Sequence, residues 1–134
     1  MRQNNYFNIS SVSAAVAPLV PGMPGEYLSN PDDYKKMVAD AKKYVFEKGF
    51  RILKVKIGND LEHDLKALTE IRNLVGPDVR IRIDANQGYD IPTALAAMKA
   101  FEAIGIDAAE QFLPWWDFDG AAELKKQNTS ALKL

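Results

Sequence analysis

The chain has 134 residues, 47% of them apolar and 26% charged, with a formal net charge of -1 and no cysteine. That suits one domain, hiding roughly two thirds of its unfolded surface, and no more. The balanced charge argues against a nucleic-acid partner, the lack of a ~20-residue apolar run argues against a membrane helix, and the missing cysteines exclude disulfides and thiolate metal sites. A reducing, cytoplasmic setting fits this composition. Residues 1–17 contain small-residue sites of the kind cleaved after a leader. However, Arg2 is the only charge ahead of them and Gln3-Asn4-Asn5 leads into no clean apolar core, so no leader is expected.

Residues 1–10 are polar. Residues 11–19 are small, apolar and partly β-branched, the pattern of a first strand, and Pro21-Gly22-Met23-Pro24-Gly25 breaks regular structure after it. Asn30-Pro31-Asp32-Asp33 reads as a helix start, with Asn30 as cap and Pro31 at the first helical position. Tyr34, Met37, Val38, Ala41, Tyr44 and Val45 then form an apolar stripe that ends at Gly49. Residues 51–57 alternate Lys54 and Lys56 with Leu53, Val55 and Ile57, as a strand does. A second helix carries Leu61, Leu65, Leu68, Ile71, Leu74 and Val75 and stops at Gly76-Pro77-Asp78. Residues 79–84 form the next strand, followed by the polar loop Asp84-Ala85-Asn86-Gln87-Gly88. Pro92 opens a helix that Gly105 closes, residues 106–111 are a short strand, and residues 117–126 a fourth helix; the tail 128–134 fits either state. Strict alternation of strand and helix means parallel strands with right-handed crossovers. Units of about 25 to 30 residues suit a (β/α)8 barrel, yet spacing alone does not separate a piece of barrel from a doubly wound sheet.

In parallel α/β folds, sites form at the carboxyl ends of strands. Three polar clusters fall there: Lys54-Val55-Lys56, Asp84-Ala85-Asn86 and Glu110-Gln111. Lys54 and Lys56 are two residues apart and project from one face. Two carboxylates on adjacent strand ends can share Mg²⁺, a cation that prefers oxygen ligands. A lysine crowded by another cation becomes a base near neutral pH and can remove the proton α to a carboxylate. Taken singly, each feature has a plainer meaning. A Lys-x-Lys is usually solvated, Asp84 suits a turn, Glu110 suits a helix start, His63 suits the surface of the second helix, and Trp115 and Trp116 suit packing or subunit contact. The coincidence of three clusters at three successive strand ends favours the chemical reading.

At these residues the chain resembles the enolase superfamily, in its muconate lactonizing enzyme and mandelate racemase branch. The matching text is Gly49-Phe50, Lys54-Val55-Lys56-Ile57-Gly58, Ile71-Arg72, Val75-Gly76-Pro77-Asp78, Arg82-Ile83-Asp84-Ala85-Asn86-Gln87-Gly88-Tyr89 and Glu110-Gln111. The resemblance implies an α/β fold, a partial (β/α)8 barrel of roughly four βα units with parallel strands. Residues 1–29 would be an N-terminal segment with a first barrel strand, and residues 30–134 part of the barrel domain, without the capping domain and the later strands. It implies Lys56 as acid/base, Lys54 beside the substrate carboxylate, Asp84 and Glu110 as Mg²⁺ ligands, and Asn86 as a polar neighbour of the metal.

The implied chemistry is Mg²⁺-dependent abstraction of the proton α to a carboxylate, leading to racemisation or epimerisation, cycloisomerisation or dehydration of a carboxylate-bearing small molecule. The third metal ligand and the opposing base have no counterpart in the chain, so turnover by the chain alone is expected to be weak or absent. Phe112 stands where the family usually has Pro. A half-barrel is also expected to expose apolar edges and inner faces and to pair with itself, as a homodimer or higher homo-oligomer. A non-catalytic half-barrel that self-associates or serves as a binding module is therefore the alternative.

Overall fold

Residues 33–58 and 60–134 are described by the computed structural model of the chain. The strand expected at 11–19, the break after it and the cap at Asn30 lie outside them. The order is α1 (Asp33–Lys42), β1 (Ile52–Lys56), α2 (Leu61–Val75), β2 (Arg80–Asp84), α3 (Ile91–Ala103), β3 (Ile106–Glu110) and α4 (Phe118–Gln127). Each boundary falls within two residues of its sequence signal where that signal is described. Asp60, Asp90 and Asp117 cap α2, α3 and α4 by accepting from the amides of His63, Thr93 and Gly120.

Helix α1 departs from its expected form. It runs directly into a wide π-helical turn, Lys43–Glu47, closed by the Lys48 amide donating to the Lys43 carbonyl at 3.2 Å, and the Phe50 amide then donates to the Tyr44 carbonyl at 3.0 Å. The extra residue breaks the 3.6-residue stripe. Val45 stays buried, Tyr44 is half-buried with its ring edge-on to Phe50, and Phe46 turns out to solvent.

The three strands lie parallel in the order β1-β2-β3. Successive helices pack on one another, α1 on α2, α2 on α3 and α3 on α4. One face of the sheet, with Leu53, Val55, Ile81, Ile83 and Ala109, is buried against this helical layer together with Leu68, Ile71, Met98 and Phe101. A sequential strand order with helices on one face is the wall of a barrel; a doubly wound sheet would reverse its order and cover both faces. The chain is thus α/β, a partial (β/α)8 barrel.

The inner face differs from the apolar surface expected of a half-barrel. It carries Lys54, Lys56, Arg82, Asp84 and Glu110, because every second residue of the strands points inward and those positions are charged. The tail also resolves. Lys133 pairs in parallel with Ala108, donating to the Asp107 carbonyl and accepting from the Ala109 amide. The tail therefore forms an isolated parallel bridge on the edge of β3.

Candidate active site at the strand ends

Register builds the site. Lys56 pairs with Asp84 and Asp84 with Glu110, so the three stand abreast on the inner face at the carboxyl rim. One pleat below, Lys54 stands beside Arg82 and Arg82 beside Ala108. The alignment of Glu110 depends on an irregularity. Ile81 pairs with Ile106 but Arg82 with Ala108, which leaves Asp107 as an extra residue in β3. Were Asp107 paired in line with Arg82 instead, Asp84 would face Ala109 and Glu110 would point to the helices, since a one-residue slip reverses every side chain. Asp107 is itself held by Arg80 at 2.6 Å.

Lys54 reaches over β2 to the far strand. Its Nζ donates to Glu110 Oε2 at 2.7 Å and lies 3.6 Å from Asp84 Oδ2. Asp84 is buried, and its Oδ1 accepts from the Asn86 amide at 3.0 Å. The side chain of Asn86 turns back to the Ile57 and Asp84 carbonyls, each at 3.4 Å. Asn86 thus orients the carboxylate through its backbone while its amide side chain ties two strand ends together. Lys56 lies half-buried and forms no ion pair among the described residues.

The rim loops are fastened to each other backbone to backbone. Ile57 donates to the Asp84 carbonyl, Ala85 to Glu110, Gln87 to Gln111 and Tyr89 to Phe112. The Gln87 side chain accepts from the Trp115 amide at 2.8 Å. A Cβ on Gly58 would overlap the Ala85 carbonyl, and one on Gly88 would overlap the Gly58 carbonyl, so the two loops approach as only glycine permits. Asn86, Gln87 and Gln111 all adopt positive φ, at 48°, 65° and 51°, which concentrates non-glycine backbone strain at this rim.

Beneath the loops lies a buried pair that the sequence reading passed over. Asp64 on α2 accepts from the Gly58 amide at 3.0 Å and from the Tyr89 hydroxyl at 2.7 Å, so one carboxylate pins the loops that follow Lys56 and Asp84. Burial, with Asp64 beside it, pushes the Tyr89 phenol above its ordinary range. A signal was present: Asp64 falls in phase with Leu68, Ile71 and Val75 on the inward stripe of α2, where an acid needs a buried partner. Phe112 is likewise explained. It is buried and stacks on Tyr89 and Phe101 at centroid distances of 5.7 and 6.4 Å, so the residue in the usual Pro position fills the core under the rim. His63 is half-buried in the first turn of α2. Trp115 and Trp116, expected to serve packing or subunit contact, stand exposed beyond Glu110, as does Phe118.

The donor set suits a hard divalent cation. Asp84 and Glu110 offer only oxygen, and they already hold a positive charge between them in the Lys54 ammonium. Among the described residues no third Asp, Glu, His or Cys joins them, and no helix is long and apolar enough to cross a membrane.

A parallel barrel wall with lysines and carboxylates at its carboxyl rim defines a class: barrel proteins that gather charged side chains at the strand ends. Comparison with known proteins narrows this. Residues 17–132 match the family model described as enolase C-terminal domain-like. The chain belongs to this family, in the muconate lactonizing enzyme and mandelate racemase branch of the enolase superfamily. It is similar to the D-Ala-D/L-Ala epimerase of Cytophaga hutchinsonii, with 36% identity over 86 residues, 64% of this chain and 23% of that protein. The substrate-liganded L-Ala-D/L-Glu epimerase of Bacillus subtilis superposes with a TM-score of 0.68 at 33% identity, covering 74% of this chain and 28% of that one. The dipeptide epimerase of Enterococcus faecalis, complexed with Mg and the dipeptide L-Leu-L-Tyr, superposes with a TM-score of 0.68 at 30% identity over the same shares. Dehydratases and cycloisomerases also appear among the relatives. The chain spans about a quarter of the length of the curated relatives it matches.

Proposed function

We propose that this chain supplies the lysine pair and two cation ligands of an enzyme that abstracts the proton α to a carboxylate from a small acid. The observation that carries the reading is the in-register row Lys56, Asp84, Glu110. Lys56 is the acid/base: it stands at the rim with its ammonium in no ion pair among the described residues, free to exchange a proton with a bound acid. Lys54 provides positive charge for the substrate carboxylate, and Asn86 holds Asp84 in its orientation. Asp84 and Glu110 would hold Mg²⁺, which when bound draws electron density from the substrate carboxylate and acidifies the adjacent C–H bond. The relatives' names favour racemisation or epimerisation, with cycloisomerisation and dehydration as other outcomes of the same step. By itself the chain is a weak or inactive catalyst on this reading, because two acidic ligands hold Mg²⁺ loosely.

Deuterium incorporation at the α-carbon of dipeptides and sugar acids in D₂O with Mg²⁺, followed by proton NMR, tests the reading. Exchange must disappear in Lys56→Met and in Asp84→Asn. Exchange that survives Lys56→Met contradicts the assignment of the base.

The exposed Trp115, Trp116 and Phe118 favour a second reading, a half-barrel that self-associates as a binding module. Sedimentation of the wild type against Trp115→Ser checks it: the module reading expects an oligomer that the substitution dissociates, and a monomer at micromolar concentration excludes it.

A further inference from the structure

We infer that the Lys54 ammonium is a built-in counter-ion for the Asp84–Glu110 pair, displaced when a divalent cation binds, so that cation binding and the release of Lys54 towards an anion are one event. The inference rests on the reading that these carboxylates take a cation. Two lysines leave β1 on the same face, yet they are used differently. Lys54 crosses a whole strand to reach Glu110 at 2.7 Å and Asp84 at 3.6 Å, whereas Lys56, abreast of Asp84, forms no ion pair among the described residues.

The lateral neighbour of Lys54 explains part of this. Arg82 is its register partner, and its buried Nε has no hydrogen-bond partner among the described residues. Like charges side by side on a sheet repel, which drives the Lys54 ammonium up towards the acids. The grip on that ammonium is loose. Of its three donors, one reaches a carboxylate at hydrogen-bond distance, and that carboxylate belongs to Glu110, whose side chain is 54% exposed. Asp84, at 10% exposure and fixed by the Asn86 amide, stays in place whatever its counter-ion. The site therefore has one fixed carboxylate, one movable carboxylate and one movable ammonium.

An ammonium and a divalent cation compete for the space between the same two carboxylates, and the cation, with twice the charge and a closer approach to the oxygens, prevails over the ammonium there. Once displaced, Lys54 is an unpaired cation at the rim of a concave charged face, and an acidic ligand is its natural partner. By linkage, cation and carboxylate ligand then strengthen each other's binding.

Mn²⁺ titration of the wild type, Lys54→Met and Lys56→Met provides the test. Both substitutions remove one positive charge near the site, but only the first removes a competitor. Lys54→Met should tighten Mn²⁺ binding about fivefold, as expected for release of a partly exposed ion pair, and Lys56→Met by clearly less. Lys54→Gln serves the same purpose if the Met variant does not fold. A second readout needs no metal affinity: the side-chain ammonium resonance of Lys54, identified by its loss in Lys54→Met, should shift in Glu110→Gln and on adding Mg²⁺ to the wild type. Equal tightening in both lysine variants, or weaker binding in Lys54→Met, overturns the inference. A Lys54 resonance indifferent to Mg²⁺ does the same. Absence of Mn²⁺ binding in every variant removes the cation-site reading as well, and is recognised because Glu110→Gln still moves the Lys54 signal.

Discussion

At the amino ends of β2 and β3, the Arg72 guanidinium donates to four backbone carbonyls: Ile104 at 3.0 Å, Gly76 at 2.8 Å, Val79 at 2.6 Å and Gly105 at 2.6 Å. At the carboxyl ends, the Lys54 ammonium meets two carboxylates, one of them largely exposed. Both are long cationic side chains that gather oxygens from several elements. The planar fork of arginine locks neutral backbone acceptors that no competing cation would draw away, so it works as a structural staple. A lysine held by ionisable side chains is replaceable by any cation that suits them. Burial lowers the basicity of Arg72, with Asp107 opposing, yet an arginine keeps its charge. One end of the sheet is built to stay closed and the other to exchange partners.

The contrast can be broken at either end. Replacing Arg72 with Met removes its four hydrogen bonds and should cost about 3–4 kcal/mol in urea unfolding, with Mn²⁺ affinity per folded molecule unchanged. A loss below about 1 kcal/mol would remove the staple from the account. Inserting an alanine between Ala108 and Ala109, past the irregularity, acts at the rim through register alone. Asp84 then faces Ala109 and Glu110 turns to the helical face, and Mn²⁺ binding should fall about tenfold, as far as in Glu110→Gln; retained binding would show that the register of β3 does not set the site. Substituting Tyr89→Phe removes one of the bonds to Asp64 and should cost about 1 kcal/mol at neutral pH. Its pH dependence has a definite sign. The folded phenol titrates above its ordinary value of 10.0, so its contribution is whole below pH 10.0 and is lost as pH rises from there towards the folded value. The stability gap between wild type and Tyr89→Phe should therefore narrow above pH 10.0; a constant gap would mean the hydroxyl is not held by Asp64.

How far the residues alone reach can be seen at the same places. Alternating strands, amphipathic helices and glycine stops placed α2, β2 and the rim clusters, because each depends on neighbours in sequence. The coincidence of Lys54, Lys56, Asp84 and Glu110 was readable because strand ends converge in any parallel sheet. Three features were not. The extra residue at Asp107 depends on which residue of β2 it faces. The crossing of Lys54 over β2 depends on Arg82 beneath it, and the burial of Asp64 on a tyrosine 25 residues away. The wide turn at Lys43–Glu47 and the charged inner face also departed from expectation. The first is closed by the Lys48 and Phe50 amides reaching back to the Lys43 and Tyr44 carbonyls, and the second follows from charged residues at inward positions of all three strands.

The central claim is that register brings Asp84 and Glu110 together as a cation site. Titrating the chain with Mn²⁺, by calorimetry or by loss of the free-ion resonance signal, tests it most directly, with Asp119→Asn on the exposed first turn of α4 as control. The account predicts one weak site per chain, weakened about tenfold or more by Asp84→Asn and by Glu110→Gln and unchanged by Asp119→Asn. Equal binding in all four proteins would contradict it.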